Sequence, residues 1–207
     1  MTLTITLLII ILTGLISYQA FSNRALFDNL KHYPIAEHQG EYYRLFSCAL
    51  VHGDMTHLFI NMYVLYGFGM AVEERFVYEF GEVMGRVHFV LLYILSIAGA
   101  NIKTFFKHKD NPSYSAVGAS GAISAVLFAY ILFYPWTQLL LFFIIPMPAI
   151  LAAILFLVWE SYAGKKNWFR IDHDAHFFGA VFGIIYVLVI RPSTLKEFIG
   201  KIMEFFQ

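Results

Sequence analysis

Two stretches of the chain decide its fold: AVGASGAISAVLFAYILFY at residues 116–134 and AHFFGAVFGIIYVLVI at residues 175–190. Both are apolar along nearly their whole length, and neither contains Asp, Glu, Lys or Arg. A helix that crosses a bilayer needs about 20 mostly apolar residues, because lipid cannot hydrogen-bond its backbone groups. Both stretches therefore predict membrane-spanning helices.

Further apolar runs occur at residues 3–21, 55–72, 87–106 and 139–159. The sequence thus predicts an all-α, polytopic membrane protein with six transmembrane helices, forming a single domain over residues 1–207. Pro146 and Pro148 leave open whether the fifth helix includes residue 139 or begins later, since proline disfavours a helix interior. The long first loop, residues 22–54, mixes aromatic and charged side chains, which is typical of a segment lying at the membrane interface.

The composition excludes several classes of protein. Hydrophobic residues make up 59% of the chain and charged residues 14%, with a mean hydropathy of +0.67. A soluble domain carries about 25% charged residues, so this chain has too little polar surface and needs membrane lipid around it. Its formal net charge of zero excludes a basic nucleic-acid footprint. The first run has no Lys or Arg before Asn23, so we interpret it as a retained span rather than a signal peptide.

The fourth span opens with Gly118-Ala119-Ser120-Gly121. A serine nucleophile needs space beside it for a substrate carbonyl, which the glycines provide, and backbone N–H groups at a helix start can stabilise an oxyanion. Gly121 also begins a stripe of small residues, continued by Ala125 and Ala129, that suits close helix packing. Both interpretations stay open, and they are compatible.

Polar residues at the starts of two other spans are further candidates, because such residues are costly inside a membrane. His176 leads a face on which Gly179 and Gly183 allow close helix approach, so it is either a structural hydrogen-bonding group or the partner of a serine. His57 and Asn61 lie one helical turn apart, behind an expected N-cap at Asp54, and either clamp helices or stabilise an oxyanion.

A metal site is a weaker alternative. The imidazoles and carboxylates near these spans contain no His-Glu-x-x-His motif and no cysteine cluster, so we expect no metal. Asp172 lies four residues before His176 and either orients it, as in a catalytic triad, or lies in water, which we favour.

Together these motifs resemble the rhomboid family of intramembrane serine proteases. The shared pattern is Gly118 to Gly121 on the fourth span, Ala175 to Gly183 on the sixth and His57 to Asn61 on the second. Glu73 and Arg75 match an acidic–basic pair of the family, which we expect to fix the loop that follows.

The resemblance implies a serine endopeptidase that cleaves single-span transmembrane proteins through an acyl-enzyme. Ser120 and His176 would form a dyad without a third carboxylate and without a cofactor. His57 and Asn61 would stabilise the oxyanion, with His52, Gly118 and Gly121 in support.

Two positions depart from the family pattern. Tyr43-Arg44 stands where the family often has Trp-Arg, and we expect a small effect. Ser124 stands where an aromatic residue often stacks on the catalytic histidine. Either His176 is less restrained, or another ring such as Tyr130 or Phe178 replaces the missing one.

Orientation and location are expectations from the resemblance. Family topology places the termini in the cytoplasm, here of a bacterium, at its plasma membrane. The positive charges point weakly the other way, with 5 Lys and Arg on the side of the termini and 9 opposite. The oligomeric state is not predicted. The alternative functions are an inactive client-binding relative, a small transporter and a metal-dependent membrane hydrolase.

Overall fold

The computed structural model describes residues 3–141, 144–166 and 172–205. Its helices, in chain order, are α1 (Ile5–Ser22), α2 (Arg24–Leu30), α3 (Pro34–His38), α4 (Arg44–Ser47), α5 (Met55–Val64), α6 (Met70–Phe80), α7 (Glu82–Lys107), α8 (Ser120–Phe133), α9 (Ala149–Lys166), α10 (His173–Ile190) and α11 (Ser193–Glu204). Two strands, β1 (Gln138–Leu141) and β2 (Ile145–Pro148), separate α8 from α9. The described residues are therefore almost entirely helical, with one small hairpin that the all-α prediction did not include.

Within the described ranges, four helices are long and apolar enough to cross a membrane: Ile5–Ser22, Met55–Phe80, Glu82–Lys107 and His173–Ile190. The helix Ser120–Phe133 is apolar but shorter. The polytopic helical architecture is confirmed, whereas the count of six spans stays a prediction.

The second span is longer than the predicted 55–72 and contains a π-helical segment. Helices α5 and α6 join through the π turn Leu65–Gly69 into one continuous helix, Met55–Phe80. At Gly69, an added Cβ would lie 2.9 Å from the Thr6 side chain of α1, so the π turn brings this backbone close to the first helix. Asp54 caps α5 by accepting from the His57 N–H, as predicted.

Glu73 lies 4.0 Å from Arg86 across the turn that joins α6 to α7, but the closest partners of Glu73 and Arg75 lie outside that turn. The Glu73 carboxylate accepts from the N–H groups of Ile5 and Thr6, both at 2.8 Å, and from the Thr6 hydroxyl at 2.7 Å. It therefore satisfies backbone donors at the start of α1, which a helix leaves unpaired. Arg75 contacts Glu79 at 2.5 Å and Glu197 of α11 at 3.7 Å.

The fifth helix begins late, at Ala149, so the alternative of a late start is correct. Residues 138–141 instead pair with 145–148 in an antiparallel hairpin, in the register Gln138 to Pro148 and Leu140 to Pro146. Because both prolines lack an N–H, they cannot continue a helical hydrogen-bond ladder here.

The long first loop, residues 22–54, is folded into short helices. The Arg44 side chain is buried, donating to Glu41 at 2.6 Å and to the Asp28 carbonyl at 2.7 Å. Tyr43 remains exposed, and the Arg44 guanidinium lies 5.4 Å from its ring centre. Backbone bonds between His32 and Ala116 tie this loop to the segment that precedes α8.

Candidate active site

Ser120 is the first residue of α8, so its backbone N–H belongs to the unpaired first turn of that helix. The preceding Gly118 has φ +115°, a left-handed conformation that favours glycine. The Gly118 N–H donates to the Cys48 carbonyl at 2.9 Å, which ties the turn to the first loop. Ser120 itself is half-buried.

Helices α8 and α10 pack backbone against backbone through small residues. A Cβ added at Gly179 would lie 2.1 Å from the Gly121 carbonyl oxygen, and one at Gly183 would lie 2.2 Å from that of Ala125. The contacts advance in the same direction along both helices, so α8 and α10 run parallel and begin at the same end. The packing interpretation of the small-residue stripe is therefore correct for Gly121 and Ala125.

This parallel packing brings Ser120 and His176 together. Ser120 Oγ lies 2.7 Å from His176 Nε2, a hydrogen-bond distance for a hydroxyl and an imidazole nitrogen. Only a neutral Nε2 can accept the serine proton, so the arrangement suits activation of the hydroxyl by the ring. The catalytic roles of both residues stay predictions.

Both carboxylate oxygens of Asp172 are bonded to groups other than the His176 ring, and the residue is partly buried rather than free in water. One Asp172 oxygen accepts from the Ala175 N–H at 2.9 Å, which caps α10, and the other accepts from the Tyr114 hydroxyl at 2.5 Å. Burial and this carboxylate raise the pKa of Tyr114, so its hydroxyl remains a donor. Asp172 therefore positions the start of α10.

His57 of α5 lies beside the turn before Ser120, and Asn61 follows one helical turn later on the same helix. A Cβ at Gly118 would lie 2.7 Å from His57 Cε1 and 2.8 Å from Nε2, so the ring lies directly over this glycine. Asn61 Nδ2 donates to the His57 carbonyl at 2.9 Å, which leaves its second N–H for another acceptor. The Asn61 Oδ1 atom is buried and lacks a partner within the described part of the chain.

His52 is fully buried behind the same turn. Ser17 Oγ donates to the Leu50 carbonyl at 2.8 Å and accepts from His52 Nδ1 at 2.9 Å. His52 Nε2 therefore lacks a proton and accepts from the Ala119 N–H at 3.4 Å. Burial lowers the pKa of His52 to about 3, which keeps the ring neutral for this role.

Two residues near His176 were missed by the sequence analysis. Glu160 of α9 places one oxygen 3.2 Å from His176 Nδ1 and the other 2.6 Å from His173 Nδ1. Phe156, one turn earlier on α9, stacks at 6.3 Å from the His176 ring centre. An acidic residue inside an otherwise apolar span was the available signal for Glu160.

Phe156 lies beside the His176 ring although Ser124 does not supply an aromatic side chain, and the two suggested substitutes pack elsewhere. Tyr130 packs against Phe68 at 5.0 Å between ring centres. The Lys103 ammonium lies over the ring of Phe178, 5.3 Å from the ring centre.

Glu160, His173 and His176 are also a possible metal-binding group, since one ligand atom from each lies within 4.8 Å of the others. The 2.6 Å contact between Glu160 and His173 is shorter than the roughly 3.3 Å that separates two ligands of one tetrahedral zinc ion. The residues are therefore arranged for direct hydrogen bonds. The expectation of no metal stays a prediction.

Comparison with known proteins identifies a family. A family model described as "Rhomboid domain" matches residues 39–193. RHOMBOID-like protein 5 of Arabidopsis thaliana is 32% identical over 75% of this chain and 47% of its own length. Rhomboid protein 1, mitochondrial, of Saccharomyces cerevisiae is 27% identical over 74% of this chain and 43% of its own length. RHOMBOID-like protein 12, mitochondrial, of Arabidopsis thaliana is 29% identical over 76% of this chain and 49% of its own length.

The chain spans about half the length of these curated relatives or slightly less. All three relatives are eukaryotic, and two carry the word mitochondrial in their names. The predicted location in the plasma membrane of a bacterium is therefore wrong. Hydropathy and site motifs could not have revealed this, because they reflect the bilayer and the chemistry rather than the compartment.

Proposed function

Because the chain belongs to the rhomboid family, we propose that it is an intramembrane serine endopeptidase whose nucleophile is Ser120 and whose general base is His176. The observation that carries the proposal is the 2.7 Å contact between Ser120 Oγ and His176 Nε2, at the start of a helix. A hydroxyl bonded to a neutral imidazole nitrogen is the arrangement that nucleophilic catalysis by serine requires.

The reaction proceeds in two steps. Ser120 Oγ attacks the substrate carbonyl carbon while His176 Nε2 takes the hydroxyl proton, and the tetrahedral intermediate then collapses. The C–N bond breaks, and His176 returns the proton to the leaving amine, which leaves an acyl-enzyme on Ser120. Water, activated by the same ring, attacks the ester and releases the second product and the free serine.

The negative charge on the tetrahedral oxygen is stabilised by donors around Gly118. The Ser120 N–H lies at the positive end of α8, where backbone donors have no helical partner. His57 and the second N–H of Asn61 are the proposed side-chain donors. Gly118 is required for this arrangement, because a side chain there would occupy the space of the His57 ring.

The depth of Ser120 supports a transmembrane substrate. Helix α8 has 14 residues, so it is about 21 Å long against a hydrocarbon core of about 30 Å. Most of its residues are buried against other helices, so its early end does not expose backbone to lipid. Ser120 would then lie below the membrane surface, where it meets the locally unwound backbone of a single-span protein. Counting α8 and α9 as crossing segments completes the proposed six spans.

The names of two relatives favour a mitochondrial membrane as the location. Fractionation of cells that express the tagged chain tests this: recovery with mitochondrial membranes is expected, and recovery in another membrane contradicts it.

The function is tested with the purified chain reconstituted in liposomes, together with a model single-span protein. The parent is expected to cleave it and to be labelled on Ser120 by a fluorophosphonate, whereas Ser120→Ala and His176→Ala do neither. Ser193→Ala, an exposed serine at the start of α11, is the matched control and retains both.

Equal cleavage by the parent and both site variants would refute the assignment of the nucleophile and the base. A parent that neither cuts nor labels would favour the client-binding alternative.

A further inference from the structure

Glu160 is a buried carboxylate on a membrane helix, and the proposed dyad does not use it. Its side chain is 5% exposed and stands in the apolar run of α9. An acidic group in such a place is costly unless it is paired, so it marks a functional interaction more often than a structural accident.

The partners of Glu160 are two histidines of α10. Oε1 lies 3.2 Å from Nδ1 of His176, and Oε2 lies 2.6 Å from Nδ1 of His173. An ionised carboxylate only accepts hydrogen bonds, so each of these nitrogens carries a proton in this arrangement. With its proton on Nδ1, neutral His176 has a free lone pair on Nε2, which faces Ser120 at 2.7 Å.

The other acidic side chains near His176 are engaged elsewhere. Asp172 accepts from Ala175 and Tyr114. Asp174 is paired with Lys103 at 2.7 Å and Lys107 at 3.1 Å. Across the described residues, Glu160 is therefore the carboxylate bonded to the His176 ring.

We propose that Glu160 is a positioning residue for His176, which makes the site a Ser120–His176–Glu160 triad rather than a dyad. This inference rests on the proposed function. Glu160 selects the Nδ1–H tautomer and the orientation of the ring. When His176 takes the proton of Ser120 and becomes an imidazolium, the adjacent carboxylate stabilises the positive charge without accepting a proton itself.

Two neighbours hold Glu160 in place for this role. His173 binds the second oxygen, so the carboxylate cannot rotate away from His176 without breaking the 2.6 Å bond. Phe156 lies one turn before Glu160 on the same face of α9 and stacks near the His176 ring, with ring planes 27° apart. Helix α9 thus supplies both the carboxylate and the aromatic face that restrain the base.

The test compares Glu160→Gln, which keeps the shape and removes the charge, with Glu160→Asp, which keeps the charge. Glu74→Gln changes an exposed glutamate of α6 and is the matched control. We expect Glu160→Gln to lower kcat about 100-fold, below the roughly 10⁴-fold loss known for a triad aspartate, with KM changed less than about twofold. Fluorophosphonate labelling of Ser120 should slow in parallel, and Glu160→Asp should recover part of the rate.

A second readout does not need turnover. Nitrogen-15 spectra of histidine-labelled protein, with His176 assigned by comparison with His176→Ala, report which ring nitrogen carries the proton. The parent should have the Nδ1–H tautomer of His176, and Glu160→Gln a mixture of both tautomers. This holds even if no substrate is cut, so failure of the triad and failure of the proteolysis are distinguishable.

Three results would overturn the inference. One is a parental kcat and an unchanged His176 tautomer in Glu160→Gln. Another is equal loss in Glu160→Gln and Glu160→Asp with a matching fall in melting temperature, which indicates a structural role alone. The last is parental activity that EDTA abolishes and added Zn²⁺ restores, which indicates a metal site at Glu160, His173 and His176.

Discussion

Gly179 lies where α8 and α10 are in backbone contact, so a larger residue there should reduce the cleavage rate. The structure gives the distance by which the two helices would have to move apart. A Cβ at residue 179 would lie 2.1 Å from the Gly121 carbonyl oxygen, whereas a carbon–oxygen contact needs about 3.3 Å. Gly179→Ala therefore forces the two helices apart by roughly 1.2 Å at this point. A comparable movement would stretch the 2.7 Å bond between Ser120 and His176 beyond hydrogen-bond distance.

We expect Gly179→Ala to lose about 100-fold in cleavage rate, since misplacement by about 1 Å has that effect at a catalytic centre. Overpacking should also cost about 1–3 kcal/mol in the free energy of unfolding. Cleavage in liposomes and thermal unfolding in detergent measure the two effects. Gly200→Ala is the matched control: nothing lies within 4 Å of its added Cβ, and the change should stabilise α11 slightly.

Parental cleavage and parental melting in Gly179→Ala would refute the reasoning, because the helices would then not be in backbone contact. Loss of stability without loss of cleavage would refute only the link from this contact to the site.

Three further predictions concern the surroundings of the site. Gly118→Ala should reduce cleavage at least about tenfold, because it strains a φ of +115° and displaces the His57 ring; the rate in liposomes tests it, and an unchanged rate contradicts it. Burial lowers the pKa of His52 from 6.5 to about 3. The neutral ring therefore contributes fully to the free energy of unfolding above about pH 6.5. That contribution is lost as the pH falls towards 3, by at most about 1.4 kcal/mol per pH unit. Melting temperatures from pH 7.5 to 4.5 should therefore fall less steeply in His52→Gln than in the parent, and equal slopes would contradict the assignment. Glu73→Gln should lower the free energy of unfolding by about 1.5–3 kcal/mol, because it weakens charged hydrogen bonds to Thr6 and Ile5. Glu74→Gln is the control, and equal melting temperatures of the two variants would contradict this prediction.

Much of the architecture could be predicted from local patterns. Long apolar runs indicate spans wherever they occur, because each helix in lipid must satisfy its own backbone. The π turn at Leu65–Gly69 and the hairpin before α9 could not be predicted in the same way. Both features depend on how neighbouring helices pack together, and a short segment of sequence does not contain that information.

The candidate site divides along the same line. The sequence by itself determined which residues could react and pack: a serine among glycines, and a histidine ahead of two glycines spaced for close approach. Only the tertiary structure decided which groups meet, because the bond between Ser120 and His176 joins residues 56 positions apart. The role of Glu160 could be inferred only from the structure for the same reason, because its contact with His176 exists only when α9 packs beside α10. Reactivity is a property of a side chain and its near neighbours, whereas orientation and charge balance belong to contacts that only the packed helices create.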